Sequence, residues 1–280
     1  MRSPIFPRDR VTVMGVLNVT PDSFSDGGRF VSRSGPNIDA IVATGLAMQR
    51  DGAHLLDVGG ESTRPGAAEL SAEVEIARVV PVLEALAKAT GLPLSIDTRK
   101  AAVARAALAA GACIVNDISG GGFDATLFAT VAESEAFLVI GHLRGTPVTM
   151  QEAPHFDDVL AEVTDELRTS VARAEAAGVA AARIAVDPGI GFGKRHEDNL
   201  VLLANAGQLG DRLGKPVLVG PSRKSFLGRI TGDPVGERDV ATAAACAVAI
   251  FAGANAIRVH DVAAGVRAAQ VAAALREVRR

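Results

Sequence analysis

The feature that most limits the fold is an alternation that runs the length of the chain. Short aliphatic or β-branched runs of strand length are separated by longer stretches with helical spacing. The predicted strands are 11–18, 54–59, 92–98, 113–119, 137–142, 184–189, 217–222 and 256–260. Predicted helices fill 38–51, 71–90, 100–110, 124–134, 156–177, 197–213, 238–253 and 262–278. Such alternation implies parallel strands joined by crossover helices. At 280 residues and 48% hydrophobic the chain can bury a large core, and no Pro/Gly/Ser linker or shift in composition divides it. Eight unbroken βα units predict one domain over residues 1–280, an α/β fold of the (β/α)8 TIM-barrel type with long loops after strands 1 and 2. An open doubly wound sheet has the same period and differs only in closure, which periodicity does not reveal.

Every predicted strand ends on polar or charged residues: LNV, DVGGES, SIDT, VNDIS, IGH, VDPG, GPSR and RVHD. In a barrel the reactive groups stand on the C-terminal rim, so Asn18, Asp57, Glu61, Asp97, Asn116, Asp117, His142, Asp187, Ser222, Arg258 and His260 are expected to ring one mouth. Some have simpler explanations. Thr98 and Asp261 can serve as helix N-caps, Asp57 and Asp117 can be tied to nearby backbone amides, and His142 can be a buried, satisfied histidine. Asp97, Asn116 and Asp187 are different, because each closes an apolar run where an unpartnered carboxylate or amide is costly to bury. Together they predict a ligand rich in ring N–H donors.

Net charge is −3 and there is neither Trp nor Tyr, so the chain offers no basic stripe and few stacking platforms, and nucleic acid is not an expected partner. Cys113 and Cys246 lie in apolar surroundings and read as two buried thiols rather than a disulfide or metal pair, which suits a cytoplasmic protein. The opening MRSPIFPRDR lacks the apolar segment of a signal peptide, and the most apolar run, 241–254, is too short to span a membrane. That run predicts a buried helix.

Two loops are long and rich in turn formers, VTPDSFSDGG onward (19–37) and GGESTRPGAAEL (59–70). Glycine-flanked loops above an active rim can act as lids, and Arg64 in the second can clamp a phosphate. After strand seven, GPSRKSFLGRITGD predicts a short extra helix. There Ser222, Arg223 and Lys224 could build an anion site. The glycines of DPGIGFGK (187–194) miss both the P-loop and the GxGxxG spacing and read as a tight βα turn.

With these residues assembled, the chain resembles the dihydropteroate synthase family from Val13 to Asp261. MGVLNVTPDSFSDGG, DVGGESTRPGA, SIDTRK, VNDISGG, HLRGTP, DPGIGFGK, SRKSFLG and RVHDV occur in family order. The resemblance implies condensation of p-aminobenzoate with 6-hydroxymethyl-7,8-dihydropterin pyrophosphate, by dissociative substitution at the pterin methylene. It implies that Asp97, Asn116, Asp187 and Lys224 hold the pterin and that Arg258 stacks on its ring. Asn18 is implied to bind Mg²⁺ with pyrophosphate oxygens. Thr63, Arg64 and His260 would contact the pyrophosphate, and Ser222, Phe192, Pro65 and Phe24 would frame p-aminobenzoate. Asp97, Lys224, Arg64 and His260 are the implied catalytic set. A homodimer burying the helix at 238–253 is also implied. The chain departs from the family at Leu143, Arg144 and Pro221, the last expected to bear on sulfonamide affinity. A methyltetrahydrofolate methyltransferase-type barrel should lack STRPG and SRKSFLG, and a non-catalytic pterin-binding paralogue would not need the pyrophosphate and amine positions, all of which are filled here.

Overall fold

The computed structural model describes residues 5–7, 9–20, 31–32, 35–63 and 66–278. Among these residues one sheet contains eight parallel strands: β1 (Thr12–Asn18), β2 (Leu55–Gly59), β3 (Leu94–Asp97), β4 (Ile114–Asp117), β5 (Phe137–Gly141), β6 (Ile184–Asp187), β7 (Leu218–Val219) and β8 (Ala256–Val259). Their order is β6-β5-β4-β3-β2-β1-β8-β7. A parallel bridge between Val186 and Val217 joins the two outer strands, so the sheet curls into a barrel and the open-sheet alternative falls. The helices are α1 (Ile38–Arg50), α2 (Ala72–Ala89), α3 (Ala101–Ala109), α4 (Leu127–Ala132), α5 (Val159–Ala176), α6 (His196–Ala204), α7 (Ala206–Leu213), α8 (Ser225–Thr231), α9 (Asp239–Phe251) and α10 (Val262–Glu277). None is long and apolar enough to cross a membrane.

Side-chain parity along each strand builds both the core and the site. Met14, Leu55, Ile114, Val139, Ala185, Leu218 and Ala256 pack with Phe6 and Phe137 in a small core inside the barrel. Alternate residues, Val13, Leu56, Val115, Leu138, Val186, Val219 and Ile257 among them, join a larger core between sheet and helices. Both strand faces are buried, which is why the strands read as continuous apolar runs. Each fully buried aliphatic contributes about 1.5–3 kcal/mol. Two residues beyond the inner apolar layer, on the same face, stand Asp57 after Leu55, Asn116 after Ile114, Asp187 after Ala185 and Arg258 after Ala256. Register aligns this polar layer, with Asn18 opposite Gly59, Gly59 opposite Asp97, and Asp97 opposite Asn116.

Three expectations change. The helix predicted over 197–213 breaks at Asn205 into α6 and α7, because Gly207 N–H donates to Ala252 O at 2.9 Å and a Cβ there would lie 2.3 Å from that oxygen. The seventh strand shortens to two residues before Gly220 and Pro221 turn the chain. Cys113 is half buried, while Cys246 is buried as expected and burial pushes its thiol up to about 12. The short extra helix after the seventh strand is present as α8.

Candidate active site

At the C-terminal end of the barrel the inward polar layer forms a hydrogen-bonded pit. Asp57, fully buried, accepts from Arg258 Nε at 2.7 Å and from Asn116 Nδ2 at 3.2 Å. Arg258 Nη2 also donates to Asp97 Oδ2 at 2.8 Å. Asp187 accepts from Gly189 N–H at 2.7 Å, which sets the turn after β6. Asp57 is therefore more than a backbone tie: it anchors Arg258 and Asn116 from below, and its buried Oδ1 has no partner among the described residues. Asp117, one residue past Asn116, faces the other way and accepts from Ser119 N–H and Oγ and from Gly121 N–H, the local role expected of it.

Among the described residues the pit holds three carboxylates, Asp57, Asp97 and Asp187, against two cations, Arg258 and Lys224. Burial pushes the Asp97 carboxyl up to about 7 even though Arg258 opposes the shift, and burial raises Asp187 as well. Burial also brings the Lys224 ammonium down to about 8, against the attraction of Asp187. Lys224 Nζ lies 3.5 Å from the centre of the Phe192 ring, a close cation–π contact.

Above the pit opens a cleft of about 460 Å³ lined by Val16, Thr63, Phe192, Gly220, Ser222, Lys224, Arg258 and His260, among others. A larger depression of about 790 Å³ lies at the opposite end, around Asn205, Lys215 and Arg276, away from these groups. Across the cleft wall runs a second chain of contacts. Asn18 Nδ2 approaches His260 Nε2 at 3.4 Å, and His260 Nδ1 approaches Ser222 Oγ at 2.9 Å. His260 N–H also donates to that hydroxyl, at 3.2 Å. With the Asn18 amide nitrogen donating to Nε2, Nδ1 carries the proton, and the Ser222 hydroxyl hydrogen is left for a ligand. Phe24, Arg64 and Pro65 lie outside the described residues.

The loop after β7 supplies Ser222 and Lys224 through a backbone outlier. Arg223 has φ +57°, a left-handed conformation that costs a non-glycine residue about 1–2 kcal/mol. It is locked by α9: Arg223 N–H donates to Thr242 Oγ1 at 3.0 Å, and its guanidinium grips Asp239 with bonds of 2.8 and 2.9 Å. Arg223 thus gives two guanidinium bonds to Asp239 while it stands in the lining of the cleft. Pro221 O accepts Lys224 N–H at 3.2 Å, closing the same turn.

Glu61 has a structural part that its place on the rim did not reveal. Its Oε1 accepts Leu70 N–H at 2.8 Å and lies 3.0 Å from Lys100 Nζ, while Oε2 meets Arg99 at 3.3 Å. The two ends of the second long loop are clasped by one side chain, and Lys100 continues to the buried Glu75 at 2.6 Å. His142 is a satisfied histidine, between Glu166 at 2.9 Å and Lys194 at 2.8 Å. Arg144, a departure from the family pattern, pairs with Glu162 and Glu166. Asp261 caps α10 by accepting Ala264 N–H. Thr98 caps no helix: it accepts Lys100 N–H, and Asp124 serves the first amide of α3.

The family model for pterin binding enzymes matches residues 14–260. Dihydropteroate synthase of Synechocystis sp. is 45% identical over 267 residues, covering 95% of this chain and 90% of that one. The Yersinia pestis dihydropteroate synthase solved with a sulfonamide drug complex superposes with TM-score 0.91 at 40% identity, covering 97% of this chain and 96% of that one. The Xanthomonas albilineans enzyme in complex with 7,8-dihydropteroate gives TM-score 0.84 at 42% identity, over 96% and 95% of the two chains. On these grounds the chain belongs to the pterin-binding enzyme family and, within it, to the dihydropteroate synthases.

Proposed function

We propose that this chain is a transferase of folate synthesis that joins p-aminobenzoate to 6-hydroxymethyl-7,8-dihydropterin pyrophosphate, giving 7,8-dihydropteroate and pyrophosphate. The observation that carries the reading is the buried excess of carboxylate over cation beneath an open cleft. Asp97, Asp187 and Asn116 match the donor and acceptor edge of a pterin, and Lys224 matches its carbonyl and ring nitrogen. The planar guanidinium of Arg258, held from below by Asp57 and Asp97, suits stacking on the ring.

The reaction breaks the bond between the pterin methylene and the pyrophosphate oxygen, whose electron pair leaves with pyrophosphate. The amine lone pair then forms the new C–N bond, and the amine proton passes to solvent. Asp97 supplies the countercharge to the pterin cation formed between these steps. Arg64 offsets charge growing on the leaving oxygens, which Thr63 and His260 contact, and Ser222, Phe192, Pro65 and Phe24 place the amine. Closure of the two long loops would keep water from the cation.

Magnesium fits this arrangement. No cluster of three or more His, Cys, Asp or Glu side chains able to hold a metal occurs among the described residues. The Asn18 amide nitrogen is turned to His260, leaving its oxygen as a donor for a hard cation that takes few protein oxygens and completes its shell with phosphate. Bound there, Mg²⁺ would offset charge on the departing pyrophosphate.

A homodimer is part of the proposal. An apolar groove between α6, α8 and α9, lined by Leu200, Leu203, Phe226, Ile230, Ala244 and Val248 among others, supports association through the helix predicted at 238–253. A monomer by light scattering at micromolar concentration would reject it.

The test of function is pyrophosphate release from the dihydropterin substrate with Mg²⁺, with and without p-aminobenzoate. Amine-dependent release yielding dihydropteroate is the expected outcome. Pterin binding without any release would favour a non-catalytic pterin-binding protein.

A further inference from the structure

Lys194 closes the DPGIGFGK turn and is only 4% exposed, yet it makes no ion pair at contact distance among the described residues. Its Nζ donates to the carbonyl oxygen of Phe192 at 2.9 Å and faces His142 Nδ1 at 2.8 Å. His142 Nε2 in turn meets Glu166 Oε2 at 2.9 Å. Burial holds His142 down to about 4, so the neutral ring donates from Nε2 to Glu166 and presents its Nδ1 lone pair to Lys194. The chain of contacts then reaches the cleft, because the Phe192 ring covers Lys224 Nζ at 3.5 Å. Turn residues 189, 191 and 193 all have positive φ, a flexible choice of residue that leaves the turn dependent on outside anchors.

We infer that Lys194 is a positioning residue for the amine side of the cleft, fixing the Phe192 carbonyl and through it the ring that covers Lys224, with His142 and Glu166 holding Lys194 in place. The inference rests on the reading of this site as one that binds p-aminobenzoate over a pterin. Lys194 touches neither substrate in this account. Its effect on turnover passes through the placement of Phe192.

The experiment measures KM for p-aminobenzoate, kcat, and affinity for the pterin substrate in wild type, Lys194→Met, Phe192→Ala and the double variant. Losing this buried hydrogen-bond donor, whose ammonium burial brings down to about 7, should raise the amine KM by about fivefold to tenfold, with pterin affinity within about twofold of wild type. On the Phe192→Ala background Lys194→Met should add nothing, since its route to the site has gone. Glu166→Gln, at a half-exposed carboxylate, should raise the same KM by a smaller factor, and it decides the matter if Lys194→Met does not fold. A loss confined to the active fraction, equal losses for pterin and amine, or full additivity with Phe192→Ala would overturn the inference. If wild type itself fails to turn over p-aminobenzoate, it is the functional reading that has failed.

Discussion

Replacing Asp97 by Asn removes one charge and almost no volume. Asp97 Oδ2 lies 2.8 Å from Arg258 Nη2 and its side chain is 11% exposed. A pterin ring hydrogen-bonded to the same carboxylate keeps the two charges about 4 Å apart, where one unit charge contributes about 4 kcal/mol to another at an effective dielectric of about 20. At about 1.4 kcal/mol per tenfold in rate, its loss slows cleavage of the pterin–pyrophosphate bond about a thousandfold. The fold should persist, because Asn retains an oxygen for Arg258. Wild type provides an internal check through pH. With the Asp97 carboxyl at about 7, ionisation is half complete near neutrality. The ionised form does the work, so kcat/KM should fall about tenfold per pH unit as pH drops below about 7, and Asp97→Asn should lack that limb. The assay is amine-dependent pyrophosphate release between about pH 5.5 and 8.5, with pterin binding followed in parallel by calorimetry. A variant within about tenfold of wild type that still binds pterin would refute the electrostatic argument, and so would a wild-type profile flat below neutrality.

On the alkaline side, burial brings Lys224 down to about 8. In its proposed role the protonated form addresses the pterin, so kcat/KM should decline as pH rises through about 8, and Lys224→Met should abolish this limb while weakening pterin binding by about tenfold. Asp239→Ala removes the two-bond grip on the Arg223 guanidinium. The left-handed backbone at Arg223 should then relax, lowering kcat/KM about tenfold while far-UV circular dichroism stays unchanged. Gly189 has φ +71° and a Cβ there would sit 1.9 Å from the His142 carbonyl oxygen. Gly189→Ala should therefore cost about 3 kcal/mol and lower Tm by roughly 6–12 °C in thermal unfolding.

The barrel was legible because its strands are buried on both faces and end in polar residues. The same double burial hid the parity that separates Asp57 from Asp117. One polar residue in an apolar run gives no sign of facing the lumen, whereas the adjacent pair Asn116 and Asp117 cannot both do so. Counting two residues on from the inward Leu55 turns Asp57 into the lumen. Closure, by contrast, rests on the bridge from Val186 to Val217, a contact between segments about thirty positions apart that local period does not encode. The break at Asn205 is hidden for a similar reason, since it follows from the approach of Gly207 to Ala252. Glu61 looked like one more rim carboxylate; its clasp on Leu70, Arg99 and Lys100 appears only when the loop ends meet.

The set Asn116–Asp57–Arg258–Asp97 also bears on how such a site can change under pressure from an inhibitor. Each member is a hydrogen-bond partner of another, so a single replacement leaves a buried polar group unmatched at about 1–3 kcal/mol, and more where a charge is stranded. Any weakening of the grip on the pterin adds to that cost. Ser222 and Phe192, proposed to frame the amine, lie outside this hydrogen-bonded set and can be altered without orphaning it. Escape from a compound that competes with the amine is open to single substitutions, whereas escape from one that fills the pit requires several coordinated replacements in the same molecule.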